Sequence, residues 1–292
     1  MSDFRLKVFQ SVAKNLSFTK ASQELFVSQP AITKHIQELE ATYQTRLFDR
    51  QGSKISLTES GRLLLEHCER ILEDYKRLEY EMHLLHNEYI GELKLGASTT
   101  IAQYVLPPLL GSFIGKFPQV NLSLLNGNSR EIEAALQEHR IDLGLVEGVF
   151  RLPNLKYTTF LEDELVHSNS RLQLPEEITP QDLPAIPLVL RERGSGTLDV
   201  IERSLQKHGV KLSSLHVLMY LGSTESIKLF LENSDCMGIV SIRSICKELA
   251  AGTFRVVEIK DMPMLRDFCF VQLQGQEGGL SQAFMNYMFM SR

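Results

Sequence analysis

Hydrogen-bonding and cationic side chains gather on one face of a short predicted helix near the N-terminus. From about residue 29 to 43, apolar positions recur at the helical period and face inward, and they are Ala31, Ile32, Ile36 and Leu39. The opposite face carries Gln29, Thr33, Lys34 and Gln37. Amide, hydroxyl and ammonium groups match the donors and acceptors that base edges present in the DNA major groove. The pattern therefore indicates recognition of DNA rather than catalysis.

A second short helix and a tight turn position this face. In "SFTKASQELFVSQPAITKHIQELE", Ser17 caps a helix over TKASQEL, and Phe26 and Val27 form the turn. Ser28 then caps the next helix, and Pro30 lies in its first turn, where a missing N–H costs nothing. Two helices joined this way are typical of a helix-turn-helix. The alternative at this point is a three-helix bundle with a solvated polar face.

A basic hairpin follows the two helices. The segment "RLFDRQGSKISLTESG" has two β-like pieces around a Gly-Ser turn, with Arg50 and Lys54 at the tip. Such a hairpin is typical of a wing that lies along phosphates, although a merely solvated hairpin is the alternative. Residues 1–62 hold nine Lys/Arg and six Asp/Glu, a net +3, while the whole chain carries −5. A basic head on an acidic body favours DNA binding at the head.

A long amphipathic helix comes next, from about Thr58 to Asn87. Its apolar positions repeat at spacings of four and three, and they are Leu64, Cys68, Ile71, Tyr75, Leu78, Met82 and Leu85. This heptad seam predicts pairing with a second copy of the helix, and a buried core helix is the alternative.

From Glu92 onward, strand-like and helical runs alternate, which predicts an α/β domain with a parallel sheet and right-handed crossovers. The chain of 292 residues is long enough for two or three domains. Its four cysteines, Cys68, Cys236, Cys246 and Cys269, have no metal-site spacing and are expected to be reduced and mostly buried.

The segments "FTKASQELFVSQPAITKHIQELE", "RLFDR" and "LTESG" resemble the N-terminal domain of LysR-type transcriptional regulators. The resemblance extends over the whole chain. It implies a winged helix-turn-helix in residues 1–58, a dimerising linker helix in 59–88, and an effector domain like a periplasmic binding protein in 92–292. The effector domain would have lobe I in 92–162 and 266–292, and lobe II in 163–265. "RERGSGT" and "LGSTESIK" are similar to the branch that regulates cysteine biosynthesis and carbon fixation.

The resemblance also implies roles for residues and partners. Bases would be read by Gln29, Thr33, Lys34 and Gln37, beside Pro30, and phosphates would be bound by Ser28, Arg50, Lys54 and Ser17 or Thr19. A homodimer or homotetramer would bind an interrupted dyad operator and contact RNA polymerase.

The sequence departs from the family pattern at two places. Gln44 occupies the position where the family usually has a helix-ending glycine, and the segment after Glu164 predicts a shortened strand at the start of lobe II.

Three strand-to-helix junctions of the effector domain carry hydroxyls and glycines suited to a ligand between the lobes. They are Ser98, Thr99 and Thr100; Gly194, Ser195, Gly196 and Thr197; and Ser223 and Thr224. Gln103 and Glu147 are assigned to the same site. Each junction alone is a common helix cap. Because Glu147 and Glu192 offset Arg191 and Arg193, the site favours a small anion of single charge, such as a carboxylate or sulfur oxyanion, over a polyphosphate.

Other function classes have less support. The sequence lacks GxSxG, HExxH, P-loop and dinucleotide-binding motifs, so neither an enzyme nor a cofactor or metal site is expected. The effector domain alone would suit an exported solute-binding protein, but the N-terminus has no signal-peptide pattern, which favours the cytoplasm and no membrane association. A protein-interaction module that has lost DNA binding is a further alternative, and the polar recognition face and basic wing argue against it.

Overall fold

A computed structural model describes residues 4–51, 54–85, 89–149, 151–169, 171–275 and 278–291. The chain divides into two units, residues 1–88 and 89–292. In the described ranges, no helix has the length and apolar content needed to cross a membrane.

The first unit is helical apart from one hairpin. Its elements are α1 (Phe4–Asn15), α2 (Phe18–Glu24), α3 (Gln29–Tyr43), β1 (Phe48–Gln51), β2 (Lys54–Leu57) and α4 (Glu59–Leu85). The two strands pair antiparallel from Phe48↔Leu57 to Gln51↔Lys54. The predicted winged helix-turn-helix fold is confirmed.

Local capping explains where the helices of this unit begin. The Ser17 hydroxyl accepts a hydrogen bond from the Lys20 N–H at 3.2 Å, and the Ser28 hydroxyl accepts one from the Ala31 N–H at 3.4 Å. Each bond satisfies a donor that the first helical turn leaves free. The apolar faces of the helices then meet in a core that includes Val8, Phe9, Val12, Ala21, Ile32, Ile36 and Leu39.

Gln44 ends α3 in the left-handed conformation, with φ 51° and ψ 36°. The Thr45 N–H donates to the Glu40 carbonyl at 3.1 Å, which is the usual closing bond of a helix that ends in a left-handed residue. The chain therefore keeps the turn geometry that a glycine would give. The cost is the strain of a side chain at positive φ, on the order of 1 kcal/mol.

The second unit has ten strands and seven α-helices in the described residues. The strands are β3 (Gly91–Ser98), β4 (Val120–Gly127), β5 (Leu143–Glu147), β6 (Leu155–Asn169), β7 (Glu177–Ile178), β8 (Leu188–Arg191), β9 (Val217–Leu221), β10 (Met237–Ser241), β11 (Arg255–Ile259) and β12 (Met264–Leu273).

The α-helices of this unit are α5 (Thr99–Tyr104), α6 (Leu106–Lys116), α7 (Ser129–Gln137), α8 (Gly196–Lys207), α9 (Thr224–Glu232), α10 (Cys246–Ala250) and α11 (Gly279–Met290). Short 3₁₀ turns lie at Pro180–Ala185, Leu212–Ser214 and Ile242–Ser244.

The strands form one mixed sheet in the order β4-β3-β5-β12-β6-β10-β8-β9, with β11 beside β6 and β7 beside β11. Pairing is parallel among β4, β3 and β5 and among β10, β8 and β9. It is antiparallel wherever β6 or β12 takes part. The prediction of a parallel sheet was therefore right for the outer strands of each half and wrong for the two strands that join them.

Strands β6 and β12 run through both halves of the sheet. They pair antiparallel from Leu155↔Leu273 to Leu165↔Met264. Phe160 and Phe268 enter the core of one half, whereas Leu165 and Met264 enter the core of the other. The two halves are thus joined by continuous strands.

The prediction of a shortened strand after Glu164 was wrong. Strand β6 spans 15 residues and continues to Asn169. Four of its residues, Asp163, His167, Ser168 and Asn169, are polar yet buried. Buried polar residues break the apolar pattern on which a strand prediction depends, and this run was not recognised as a strand.

Candidate functional site

The outer face of α3 presents the side chains that the sequence assigned to DNA. Its exposed members are Ser28, Gln29, Pro30, Lys34 and Gln37, and Thr33 is half-buried. Lys34 is exposed, so its charge is accessible to a phosphate or a base.

The start of α2 is held beside this face. The Thr19 hydroxyl donates to Gln29 Oε1 at 3.3 Å, and Ser17 is half-buried as the cap of α2. Thr33 donates its hydroxyl to the Gln29 carbonyl at 3.1 Å. These contacts order the N-terminal end of α3, which is the end that a helix-turn-helix directs into the groove.

The wing strands are present, with Arg50 opposite Ile55 and Lys54 opposite Gln51. The tip at residues 52–53 and the side chains of Arg50 and Lys54 lie outside the described part of the chain. Their contacts with phosphates stay a prediction.

The heptad seam of α4 requires one correction. Cys68 is completely buried in the core of the first unit, where its thiol donates to the Leu6 carbonyl at 3.3 Å. Burial raises the pKa of this thiol to about 12. Leu64 also packs against that core. Cys68 is therefore a core residue of its own subunit and is unavailable to a partner helix.

The described seam residues after Cys68 are not buried within the chain. Ile71, Leu78 and Met82 are exposed, and Tyr75 is half-buried. The side chain of Leu85 lies outside the described part. Pairing of α4 through Ile71, Tyr75, Leu78 and Met82 stays a prediction.

Arg191, at the end of β8, contacts or precedes each of the three junctions that the sequence assigned to a ligand. Its Nη2 donates to the Thr99 hydroxyl at 3.3 Å and to the Gly222 carbonyl at 3.4 Å. Gly222 directly precedes Ser223 and Thr224, and Arg191 itself leads into the Gly194–Thr197 loop. The guanidinium of Arg191 thus contacts the first and third junctions, and its backbone leads into the second.

This guanidinium is almost completely enclosed, at 1% exposure. Glu192 accepts from Nε at 2.8 Å and from Nη2 at 3.1 Å, whereas Nη1 is buried and has no hydrogen-bond partner among the described residues. Gln103 Oε1, one helical turn beyond Thr99, is also buried without a partner. Buried polar groups are nearly always satisfied, so both atoms mark a place for a ligand or ordered water.

Glu147 is buried at the end of β5 and accepts a hydrogen bond from the Ser98 hydroxyl. Its Oε1 lies 3.6 Å from Nη1 of Arg266, a buried residue on β12. Arg266 also donates to the Thr197 hydroxyl at 2.8 Å. Ser98 of the first junction and Thr197 of the second are therefore linked through Glu147 and the buried Arg266, which sequence reasoning missed.

The glycines of the second junction allow other segments of the same chain to pack closely against the backbone. A Cβ on Gly196 would lie 2.0 Å from the Glu147 carbonyl oxygen, and Gly194 has a φ of +92°. Ser195 caps α8 by accepting from the Thr197 N–H at 3.2 Å. The sequence suggested that these glycines let a ligand approach the backbone. The geometry differs, because Glu147 occupies the space beside Gly196.

The third junction has a cap and a buried hydroxyl. The Ser223 hydroxyl accepts from the Ser226 N–H at 3.1 Å and begins α9, and Thr224 is buried. Thr100 is buried at the first junction. Near α9, Tyr104 donates to Glu225, and Lys228 lies 3.0 Å from the same carboxylate. Neither Tyr104 nor Lys228 was predicted, and the Tyr104–Glu225 contact joins residues 121 positions apart in the chain.

The sequence placed Arg191 near this site but gave no indication of Arg266. Arg191 and Arg266 are both buried in this region. Their charges are balanced chiefly by Glu192 and by Asp163, whose Oδ2 lies 2.8 Å from Nε of Arg266. Burial raises the pKa of the Glu147 carboxyl, and Arg266 and Arg191 oppose that shift only in part.

The raised pKa of Glu147 predicts a pH-dependent contribution to stability. A carboxyl whose folded-state pKa exceeds its unfolded value stabilises the fold below the ordinary value of 4.5 and loses that contribution as pH rises through the folded-state pKa. Glu147→Gln removes this titration. Urea unfolding at pH 5 and pH 8 should show the variant gaining stability relative to the wild type at the higher pH. An equal difference at both values would contradict a raised pKa.

Two family models match the chain. "Bacterial regulatory helix-turn-helix protein, lysR family" matches residues 4–62, and "LysR substrate binding domain" matches residues 86–289. The chain belongs to the LysR family of transcriptional regulators. The two matched ranges together include the predicted DNA-reading face of α3 and the three junctions around Arg191.

Named relatives of this LysR regulator support the same assignment. It is 29% identical to "HTH-type transcriptional regulator CysL" of Bacillus subtilis over 269 residues, which cover 91% of this chain and 89% of CysL. It is 33% identical to the "Probable RuBisCO transcriptional regulator" of Cyanidioschyzon merolae over 271 residues, 90% of this chain and 88% of the relative. The predicted branch is confirmed, as is the prediction of a regulator without enzymatic activity.

A solved regulatory domain is similar to the second unit. The Synechocystis PCC6803 CcmR regulatory domain in complex with 2-PG is 28% identical, with a TM-score of 0.62, and the match covers 69% of this chain and 97% of that domain.

Proposed function

We propose that this LysR regulator binds an interrupted dyad operator and that a small anion, held between the lobes of its effector domain, changes how it binds or activates. The proposal of an anionic effector rests chiefly on Arg191. Its enclosed guanidinium contacts Thr99 and Gly222 through Nη2, and its Nη1 has no hydrogen-bond partner among the described residues. Burying a donor without a partner costs about 1–3 kcal/mol, which an anionic acceptor would offset.

The local charge balance limits the charge of that ligand. Arg191 already contacts Glu192, and Arg266 already contacts Asp163. Each of these arginines is therefore paired with a carboxylate before a ligand binds, and burial raises the pKa of the Glu147 carboxyl. A singly charged or hydrogen-bonding anion suits this balance better than a polyphosphate does. The 2-PG complex of the CcmR regulatory domain supports a ligand at the equivalent domain.

The assembly is part of the same proposal. Exposed Ile71, Leu78 and Met82 on α4 would pair two copies and place two heads at a fixed separation, so the operator would have spaced half-sites. The effector shifts the assembly only by the difference in its affinity for two lobe arrangements. Two such dimers would form the tetramer, and contact with RNA polymerase would follow from the altered arrangement.

The DNA-reading part of the proposal is tested at Gln29. Selection of bound sequences from a random library should show Gln29→Ala losing preference at one position per half-site, because a bidentate amide contributes about 1–3 kcal/mol of base discrimination. Gln23→Ala is the matched control, since Gln23 is exposed on α2 and is not among the predicted DNA contacts. Equal loss of affinity on every sequence would count against base reading by Gln29.

A further inference from the structure

Phe26 is the most exposed large apolar side chain in the described part of the chain, at 95%. Its ring therefore gains almost nothing from packing within its own unit. Single exposed apolar residues are common and need no explanation alone. Phe26 differs because its backbone conformation is unfavourable as well.

The residue lies in the left-handed region, with φ 54°. It follows the C-terminus of α2, where the Val27 N–H donates to the Ser22 carbonyl at 3.1 Å and the Phe26 N–H to the Gln23 carbonyl at 3.4 Å. These two bonds form the helix ending that places a left-handed residue, usually glycine, at this position. The turn requires the conformation, but it does not require a phenyl ring.

Leu16 and Gln44, which also have positive φ in the first unit, differ from Phe26 in the surroundings of their side chains. Leu16 has a φ of 45° and is 47% exposed, so about half of its side chain is covered by the chain. Gln44 has a polar side chain that water can solvate. Phe26 combines backbone strain with an apolar ring that is almost fully exposed to water. Strained residues that gain nothing locally concentrate at functional sites.

The position of Phe26 indicates what covers it. It lies two residues before Ser28, the cap of α3, and three before Gln29, which Thr19 holds by a hydrogen bond. The N-terminal end of α3 is the part that enters the groove, so the preceding turn lies at the groove rim. The apolar surfaces available there are deoxyribose rings and thymine methyl groups.

We infer that the Phe26 ring packs on the apolar edge of operator DNA at the rim of the major groove, beside the bases read by α3. The inference rests on the proposed DNA-binding function and adds a contact to it. The contact is apolar, so it contributes affinity without adding to the number of counterions released.

Two glycine variants test this contact because they relieve the same strain at different places. Phe26→Gly and Gln44→Gly should both raise the melting temperature of the full chain, since each places glycine in a left-handed position. Only Phe26→Gly should weaken binding to a selected operator, by about tenfold in a fluorescence anisotropy titration. The slope of log Kd against log salt should be unchanged.

Site-specific crosslinking identifies the occupant directly. Replacing Phe26 with p-benzoylphenylalanine and irradiating the operator complex should give a crosslink to DNA. Crosslinking to a second protein chain would overturn the inference, as would equal operator affinity for Phe26→Gly and the wild type. If the wild type itself selects no operator, the proposed function fails as well, whereas selective wild-type binding with unchanged Phe26→Gly binding overturns this contact alone.

Discussion

Asp163→Ala is expected to destabilise the effector domain by about 3–5 kcal/mol, the usual effect of removing one partner from a buried ion pair. Asp163 Oδ2 lies 2.8 Å from both Nε and Nη2 of Arg266, and Ser241 donates to Oδ1 at 2.7 Å. Without the carboxylate, the Arg266 guanidinium stays buried, with the Thr197 hydroxyl at 2.8 Å and the Glu147 carboxyl at 3.6 Å. Urea unfolding followed by circular dichroism measures the loss.

The effect should be local to this buried contact. Glu164→Ala, one position along the same strand and exposed, is the control and should change stability by less than about 0.5 kcal/mol. Asp163→Leu combined with Arg266→Met removes both charges and should recover much of the lost stability. A loss below about 1 kcal/mol for Asp163→Ala would show that water reaches Arg266. It would also show that the Asp163–Arg266 ion pair does not hold β6 and β12 together.

Arg191→Met is expected to lower affinity for the anionic effector at least about 100-fold while the domain stays folded. Charge-assisted hydrogen bonds in enclosed sites are strong, and Nη1 of Arg191 is a buried donor that no described residue satisfies. Methionine fills similar space, and Glu192, whose side chain is 26% exposed, can be solvated without its partner. Isothermal titration with 2-PG, sulfate, phosphate and small carboxylates supplies the measurement.

Arg193→Met is the matched control, because Arg193 is exposed two residues further along the same loop. It should bind the same anions as the wild type does. If the wild type binds neutral ligands and no anion in the panel, the effector class is wrong. If Arg191→Met binds an anion as well as the wild type does, the effector is held elsewhere.

Local signals allowed much of the DNA-binding head to be predicted. Ser28, Pro30 and the apolar spacing gave the bounds of α3, because caps and periodicity act over a few residues. The same reasoning misassigned Cys68. A heptad pattern shows which side chains share a face of α4, but it does not show that the beginning of that face packs on α1 of the same subunit.

The effector site was harder to predict because its decisive contacts join distant segments. Thr99 and Arg191 are 92 positions apart, and Asp163 and Arg266 are 103 apart. Ser98 and Thr197 were found from junction chemistry, whereas Arg266 lies within a strand and has no local signal. Strand β6 was missed for the same reason, since the groups that balance the buried charge of Asp163, Arg266 and Arg243, lie far along the chain.

The most direct test of the proposed function is sequencing of genomic DNA fragments captured by the purified protein, with and without a small-metabolite extract of the source organism. The proposal predicts a small set of sites that share an interrupted dyad. It also predicts that the extract changes the footprint of the wild type and leaves that of Arg191→Met unchanged. Diffuse capture under both conditions would contradict a sequence-specific regulator, and an extract effect that persists in Arg191→Met would contradict an effector held at this arginine.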